Sequence, residues 1–522
     1  MTARPVPSEA ELIARLRADG VAARVADGDP TLWPRLARPG WTGALRASRP
    51  LVGEIAALAE QRRVAGQVRV LLAAAGGAGV AAEALIDSDP RLVVLDTADP
   101  PQVADALAGE LASTVLVVSA PPGEDPEPVR LLRDTVHAAF RAEGLDPDAH
   151  TVVVTPPDGP LLPPDASPDG PVVVLGPDDV DGPWAAFTAY VLVPAGLAGA
   201  DAGAVLAEAG AARAELGTAG GTTGGTALGL GALLASAPAV ALAAPEAPAL
   251  AEWAAQLVAG GLGKDGQGPL PVVVEGPDAP EWGTLPAVGL GDVPGAAFAT
   301  RGSVAEQMAA WQHAVAVAAH VLGVDPTDRP DALAPAPKGD AAGPAFTEGG
   351  VAVHAGDWLP EGTGTVADAL RALLAAGAPS GSDGVEGDGA EGDGAEGGGA
   401  ARHLAVHAYL DRIEDASAAV LRAELARRTG LPTTFGWAPR CLPGSGQHAK
   451  GGPPDTRVCQ LTADPDDPGL RPEAAAALDA VQQGLAQADA DALAARGRPV
   501  LRLHFTDRVA GLVTLARAVQ QL

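Results

Sequence analysis

Sulfur and aromatic side chains are rare in this chain. Two cysteines, two methionines, two tyrosines and six phenylalanines are spread over 522 residues. Cys441 and Cys459 form no CxxC pair and no Cys/His ligand spacing, which argues against a zinc module. They read as two reduced thiols of a cytosolic protein. Basic residues are also few. Thirty-five Lys and Arg stand against 65 Asp and Glu, for a net charge of −30. Such a field repels nucleic acid and anionic membrane surfaces, and no basic stripe offsets it. A small anionic substrate would need a local positive pocket. No apolar run is long enough to cross a bilayer. LGLGALLASAPAVALAAP (228–245) comes nearest, and Pro238 and several glycines break it. The start, MTARPVPSEAELIARL, is polar and amphipathic and predicts no signal peptide.

What remains is a globular composition, 47% hydrophobic and 19% charged. The length calls for two domains. Residues 1–66 read as a helical segment, with apolar positions at helical spacing in AELIARL and PLVGEIAALAEQRR. A rhythm of short apolar runs follows: VRVLLA (68–73), RLVVLD (91–96), TVLVVSA (114–120), TVVVTP (151–156) and PVVVLG (171–176). Helical stretches lie between several of them, which predicts a parallel sheet covered on both faces over 67–216. A second set runs from VALAAP (240–245) through PVVVEG (271–276), AAFATRG (296–302), HLAVHAYL (403–410), TRVCQLTAD (456–464) and VLRLHFTD (500–507). Helices are expected at 249–260, 303–322, 414–428 and 472–493. This predicts a second α/β domain over 217–522. Within it, APSGSDGVEGDGAEGDGAEGGGA (378–400) reads as a flexible acidic loop; it lacks the fixed frame and closing Glu of a calcium loop.

Two stretches carry possible chemistry. In LLAAAGGAGVAAEALIDSDPRLVVLD, Gly77-Ala78-Gly79-Val80-Ala81-Ala82 follows a strand and opens a helix, and Asp96 ends the next strand. That is a dinucleotide fingerprint in nearly proper context, or simply the Gly turn that a parallel α/β protein needs. In PGSGQHAKGGP (443–453), glycines let the backbone approach a ligand, Lys450 supplies a cation and His448 can move a proton near neutral pH. The alternative is a solvated loop.

EWAAQLVAGGLGKDGQGPLPVVVEG (252–276) and LPTTFGWAPRCLPGSGQHAKGGP (431–453) resemble the glucose-6-phosphate isomerase family, in the bacterial branch also found fused to transaldolase. DPTLW (29–33), LRASRPL (45–51), VLDTADPPQV (94–103), FTAYVLVP (187–194) and AWQHAVAVAAHVLGVDPTDRPD (310–331) agree in order. The resemblance implies two sugar-isomerase (SIS) domains, each a mainly parallel α/β sheet flanked by helices. It also implies a sugar-phosphate ligand, isomerisation of glucose 6-phosphate and fructose 6-phosphate, no cofactor, a cytoplasmic location, and a homodimer or pairing with a related enzyme. It turns the dinucleotide-type turn into a phosphate loop.

Carried over residue by residue, the resemblance implies ring opening by Lys450, His448 and Gln447, with Arg440, Gly446 and Gly451 matching beside them. LHK has become HAK, which moves the histidine by one position. The phosphate loop falls on Gly76, Gly77 and Gly79 and on the stretch from Ser119 to Asp125. Its hydroxyls are largely gone, prolines remove N–H donors, and Glu124 and Asp125 stand where a phosphate would go. Pro183 replaces the family's Arg and Gly260 its Glu base; Gln312 stands for the Glu of a Trp-Glu pair. Glu83 and Glu124 are the only acids that could stand in as base. These replacements predict isomerase chemistry that is impaired or absent, since loss of the base alone costs roughly 10²–10⁴-fold. The outcomes to separate are a non-catalytic partner of sugar-phosphate enzymes and a divergent isomerase using Lys450 and His448.

Overall fold

The computed structural model describes residues 8–34, 36, 39–162, 170–180, 182–218, 222–332, 343–376, 402–465 and 469–522. The acidic segment 378–400 lies outside them. Strands β1 (Arg69–Ala74), β2 (Leu92–Leu95), β3 (Thr114–Ser119), β4 (Thr151–Thr155) and β5 (Val172–Leu175) form a wholly parallel sheet in the order β2-β1-β3-β4-β5. β3 and β4 are buried at every position, which is why they read as continuous apolar runs. β5 alternates between half-buried and exposed residues, as an edge strand does. Strand order reverses between β1 and β3, the place where open α/β sheets hold their ligands.

Four more strands, β6 (Ala239–Ala243), β7 (Leu270–Val273), β8 (Ala287–Leu290) and β9 (Phe298–Thr300), form a second parallel sheet in the order β7-β6-β8-β9. β8 went unread in the sequence because AVGL is only four residues long and contains a glycine. Helix Val304–Leu322 is buried on nearly every side, consistent with its apolar character all round. Its start is fixed by a capping box of Ser303 and Glu306.

The third sheet runs β10-β11-β15-β14-β12-β13, from β10 (Phe346–Glu348), β11 (Val351–His354), β12 (His403–Tyr409), β13 (Thr433–Trp437), β14 (Thr456–Ala463) and β15 (Val500–Phe505). Four of these strands are mutually parallel; β10 and β11 add an antiparallel ribbon on β15. β10, β11 and β13 were not anticipated, being short or interrupted by Gly436.

The architecture is therefore α/β, with mainly parallel sheets flanked by helices. By compactness the chain divides into one unit of residues 1–333, 439–452 and 465–482, and another of 334–438, 453–464 and 483–522. The segment 217–333 thus sits with the first unit. Its sheet shares a core with the first sheet, where Val70 and Leu72 join Val240 and Leu242 in one apolar cluster. The second unit has its own core around Phe505, Leu503, Val406 and Leu461.

Candidate functional site

The carboxyl ends of β1 and β3 set out the site. After β1 the chain turns through Gly76 and Gly77, with φ of 71° and 82°. Few residues other than glycine adopt such angles in succession. Helix Ala78–Leu85 starts there, and its first N–H groups leave a seat suited to an anion. That seat is taken from within the chain. The Glu124 carboxyl packs directly against Gly76, and its Oε1 accepts a hydrogen bond from Arg329 Nη2 at 2.8 Å. Both side chains are almost wholly withdrawn from water, 4% and 6% exposed, so this is a buried ion pair and not a surface one.

Arg329 comes from the turn that follows helix Val304–Leu322. Asp325 Oδ1 caps that turn by accepting from the Thr327 and Asp328 N–H groups. Lys264 Nζ holds it from the other side by donating to the carbonyls of Asp325, at 2.7 Å, and Asp328. Burial pushes the Lys264 ammonium down to about 8, against the pull of Asp328 and Asp325. The same turn presents Asp331, whose N–H donates to Gln447 Oε1 at 2.8 Å.

The stretch anticipated as an open Gly-rich loop is folded tightly. Leu442–Gly446 makes a wide helical turn and Gln447–Gly451 one α-helical turn. Gln447 is fully buried, and its Nε2 also donates to Gly263 O at 3.0 Å. His448 is 1% exposed, its ring wedged between Gly263 and Gly452. A β-carbon at Gly263 would lie 2.7 Å from His448 Cδ2, and one at Gly452 3.2 Å from His448 Nδ1. Lys450 is 3% exposed, with Nζ 3.4 Å from a β-carbon at Gly446. Gly451 lies against Asp331 and Gln447.

Arg440 anchors this stretch. Its guanidinium meets Glu83, Asp96 at 2.8 Å and Glu252 at 2.9 Å. Burial alone would pull this guanidinium down; Asp96, Glu252 and Glu83 more than reverse it, holding it well above its ordinary value. Both acids named as stand-in bases are thus committed, Glu83 to Arg440 and Glu124 to Arg329.

Gly260 lies against the same stretch. A β-carbon there would sit 2.7 Å from the Pro443 carbonyl oxygen, closer than real β-carbons come. Pro183 is buried near the Gly77 turn, 3.6 Å from a β-carbon built on Gly77. Its carbonyl accepts from Trp253 Nε1 at 3.0 Å, and Gln312 Nε2 donates to the next carbonyl, Trp184 O. Gln256 Oε1 is buried without a hydrogen-bond partner among the described residues and would lie 2.9 Å from a β-carbon built on Gly77. Gly79 packs on Val94 and Asp96. Ser119 is fully buried, its hydroxyl donating to the Tyr190 carbonyl at 3.4 Å.

The structure thus brings Gly76, Gly77, Pro183 and Gly260 into one neighbourhood with the 440–451 stretch. Arg329, Asp331, Lys264 and Gln256 were not singled out in the sequence. The only signal was their place in VDPTDRPD and QLVAGGLGK, the two stretches that run into this neighbourhood. Among the described residues no cluster of His, Cys, Asp and Glu is arranged to hold a metal ion.

The class shown is an α/β protein whose parallel sheet carries a Gly turn at its switch point, beside a buried stretch holding His448 and Lys450. Comparison with known proteins adds partial likenesses. No family model matches the chain. Over 131 residues it is 37% identical to a glucose-6-phosphate isomerase of Synechococcus sp. (strain JA-3-3Ab), covering 24% of each chain. Over 201 residues it is 32% identical to a "Probable glucose-6-phosphate isomerase" of Haloarcula marismortui, covering 37% of this chain and 46% of that one. The chain therefore spans less than half the length of these curated relatives in the matched stretches. Solved structures with a remote likeness include a glucose-6-phosphate isomerase from Chlamydia trachomatis, at TM-score 0.46 and 16% identity over 59% of this chain and 75% of that one. Another is a hypothetical protein from Thermus thermophilus, at TM-score 0.42 and 16% identity over 98% of this chain and 90% of that one. Over the matched stretches the chain is related to the glucose-6-phosphate isomerases.

Proposed function

We propose that this chain is a relative of glucose-6-phosphate isomerase that has lost aldose–ketose isomerisation and serves as a non-catalytic partner of sugar-phosphate enzymes. The observation that carries the reading is the Glu124–Arg329 pair on the Gly76 turn. A carboxylate fixed in an anion seat repels a phosphate by charge and excludes it by volume. Two further features support it. The position matching the family's base is Gly260, crowded by the Pro443 carbonyl. The position matching its Arg is Pro183, without a charge or an N–H.

Pairing with a second copy or a related active subunit is supported by the edge strand β5, where Val173 and Leu175 are 37% and 53% exposed. Two buried cysteines outside any disulfide suit a reducing compartment, and the reading favours the cytoplasm. No helix among the described residues is long and apolar enough to cross a membrane.

A second reading, a divergent working isomerase, rests on the formed state of the Gln447–His448–Lys450 turn. It would need Glu83 or Glu124 as base, and both are held by arginines. Titration calorimetry with fructose 6-phosphate separates the two. The proposal expects no saturable heat. Binding in the range of about 1 μM to 1 mM usual for enzyme substrates, lost in Lys450→Ala, would overturn it.

A further inference from the structure

A second feature of the first unit shares no residue with the candidate site. Helices Val21–Ala26, Gly40–Ala47 and Ala202–Leu216, with the residues just after them, line an open hollow of about 480 Å³. Its lining includes Arg46, Arg49 and Arg213, with Asp27 as the one acid. Elsewhere in this acidic chain an arginine reaching solvent is commonly answered by its own carboxylate. Arg24 has Asp29, Arg63 has Glu60, Arg91 has Asp89 and Arg371 has Asp368. No described carboxylate lies within ion-pair distance of the three arginines at the hollow.

Arg213 is also fixed in place. Its guanidinium lies 5.0 Å from the centroid of the buried Trp41 ring, a cation–π contact that sets its plane. Its Nη1 donates to Thr42 O at 2.8 Å. Nη1 also reaches Trp41 O at 3.5 Å; Nε and Nη2 have no protein acceptor among the described residues, and Arg213 lines the hollow. Arg46 and Arg213 each lie in the last turn of a helix, where a cation also answers the helix's own carbonyl end. Arg213 departs from that role, since its hydrogen bond goes to a carbonyl on another helix. Ala23, Ala26, Leu45 and Ala214 supply an apolar wall.

We propose that this hollow binds a small organic molecule carrying a diphosphate, with Arg213 as the preset fork and Arg46 and Arg49 closing on the outer oxygens. Guanidinium forks match paired phosphoryl oxygens. Three guanidiniums against one carboxylate suit a multiply charged anion better than a single phosphate. The apolar wall takes the organic body. The site is independent of the proposed loss of isomerase chemistry.

The test is calorimetric titration of the full chain at low salt with inorganic pyrophosphate and with ADP, the same diphosphate on an organic body. Saturable binding is expected, weakened about tenfold or more by Arg213→Gln, as for a lost charge-assisted hydrogen bond. A β-carbon at Gly210 meets nothing within 4 Å, so Gly210→Leu fills the hollow without removing a charge or a helix former. It should abolish binding while Gly210→Ala keeps it. Tighter binding of ADP supports an organic ligand; equal binding assigns recognition to the diphosphate alone and overturns the organic-body part. No saturation by either probe, or unchanged binding in Arg213→Gln and Gly210→Leu, overturns the proposal.

Discussion

At the scale of single residues, space and burial decide what each side chain can do. Gly260 is closed by the Pro443 carbonyl, so restoring a glutamate there should not restore chemistry. Gly260→Glu is expected to lower stability by about 1–3 kcal/mol, as for an overpacked interior, with no gain of turnover; urea denaturation measures the loss. His313 is wholly buried, and burial with Arg213 nearby pushes its imidazole down to about 3. The folded state therefore binds fewer protons than the unfolded one between about pH 6.5 and 3. Its stabilising share is complete above that window and is lost as pH falls through it. Denaturation curves of His313→Leu should show a shallower acid decline than the parent; parallel curves would contradict this. Lys264 behaves in the same sense on the alkaline side. Its folded value near 8 lies below the ordinary 10.5, so the cost of burying the ammonium is present below pH 8 and lifts between 8 and 10.5. Relative to Lys264→Met, the parent should gain stability across that window, and a constant difference would exclude the assignment.

At the scale of elements, the turn at 325–331 organises the neighbourhood. Lys264 fixes its backbone, Arg329 reaches Glu124 beyond β3, and Asp331 meets Gln447. Removing one partner of the buried pair, as in Arg329→Met, should cost about 3–5 kcal/mol, because it strands the other charge. The double variant Glu124→Met/Arg329→Met should cost much less than the sum of the single changes. Strict additivity in the double-mutant cycle would show that the two side chains do not act as a pair. Much of the element plan was legible in the sequence. Strands such as β1, β3 and β4 are largely continuous apolar runs with turn residues around them, and the helix 304–322 carries its own capping box. β8, β10, β11 and β13 were not legible, because three to five residues cannot show a period. The replaced positions Gly260 and Pro183 could be named from the linear pattern. What fills the space beside them could not, since Glu124 and Arg329 meet only through the fold.

At the scale of the molecule, a net charge of −30 sets a hostile field for an anionic substrate, and a phosphosugar site must overcome it locally. In the first unit the cations near the Gly76 turn are spent inside the protein, Arg329 on Glu124 and Arg440 on Glu83, Asp96 and Glu252. The partial likeness to glucose-6-phosphate isomerases and the Glu124 carboxyl packed on the Gly76 turn fit the proposed account, in which the fold is kept without the reaction. The most direct measurement is a coupled assay on protein purified from an isomerase-null host. Fructose 6-phosphate is supplied, and glucose 6-phosphate is followed through excess dehydrogenase. The account predicts no turnover above the blank. Turnover that disappears in Lys450→Ala would contradict it.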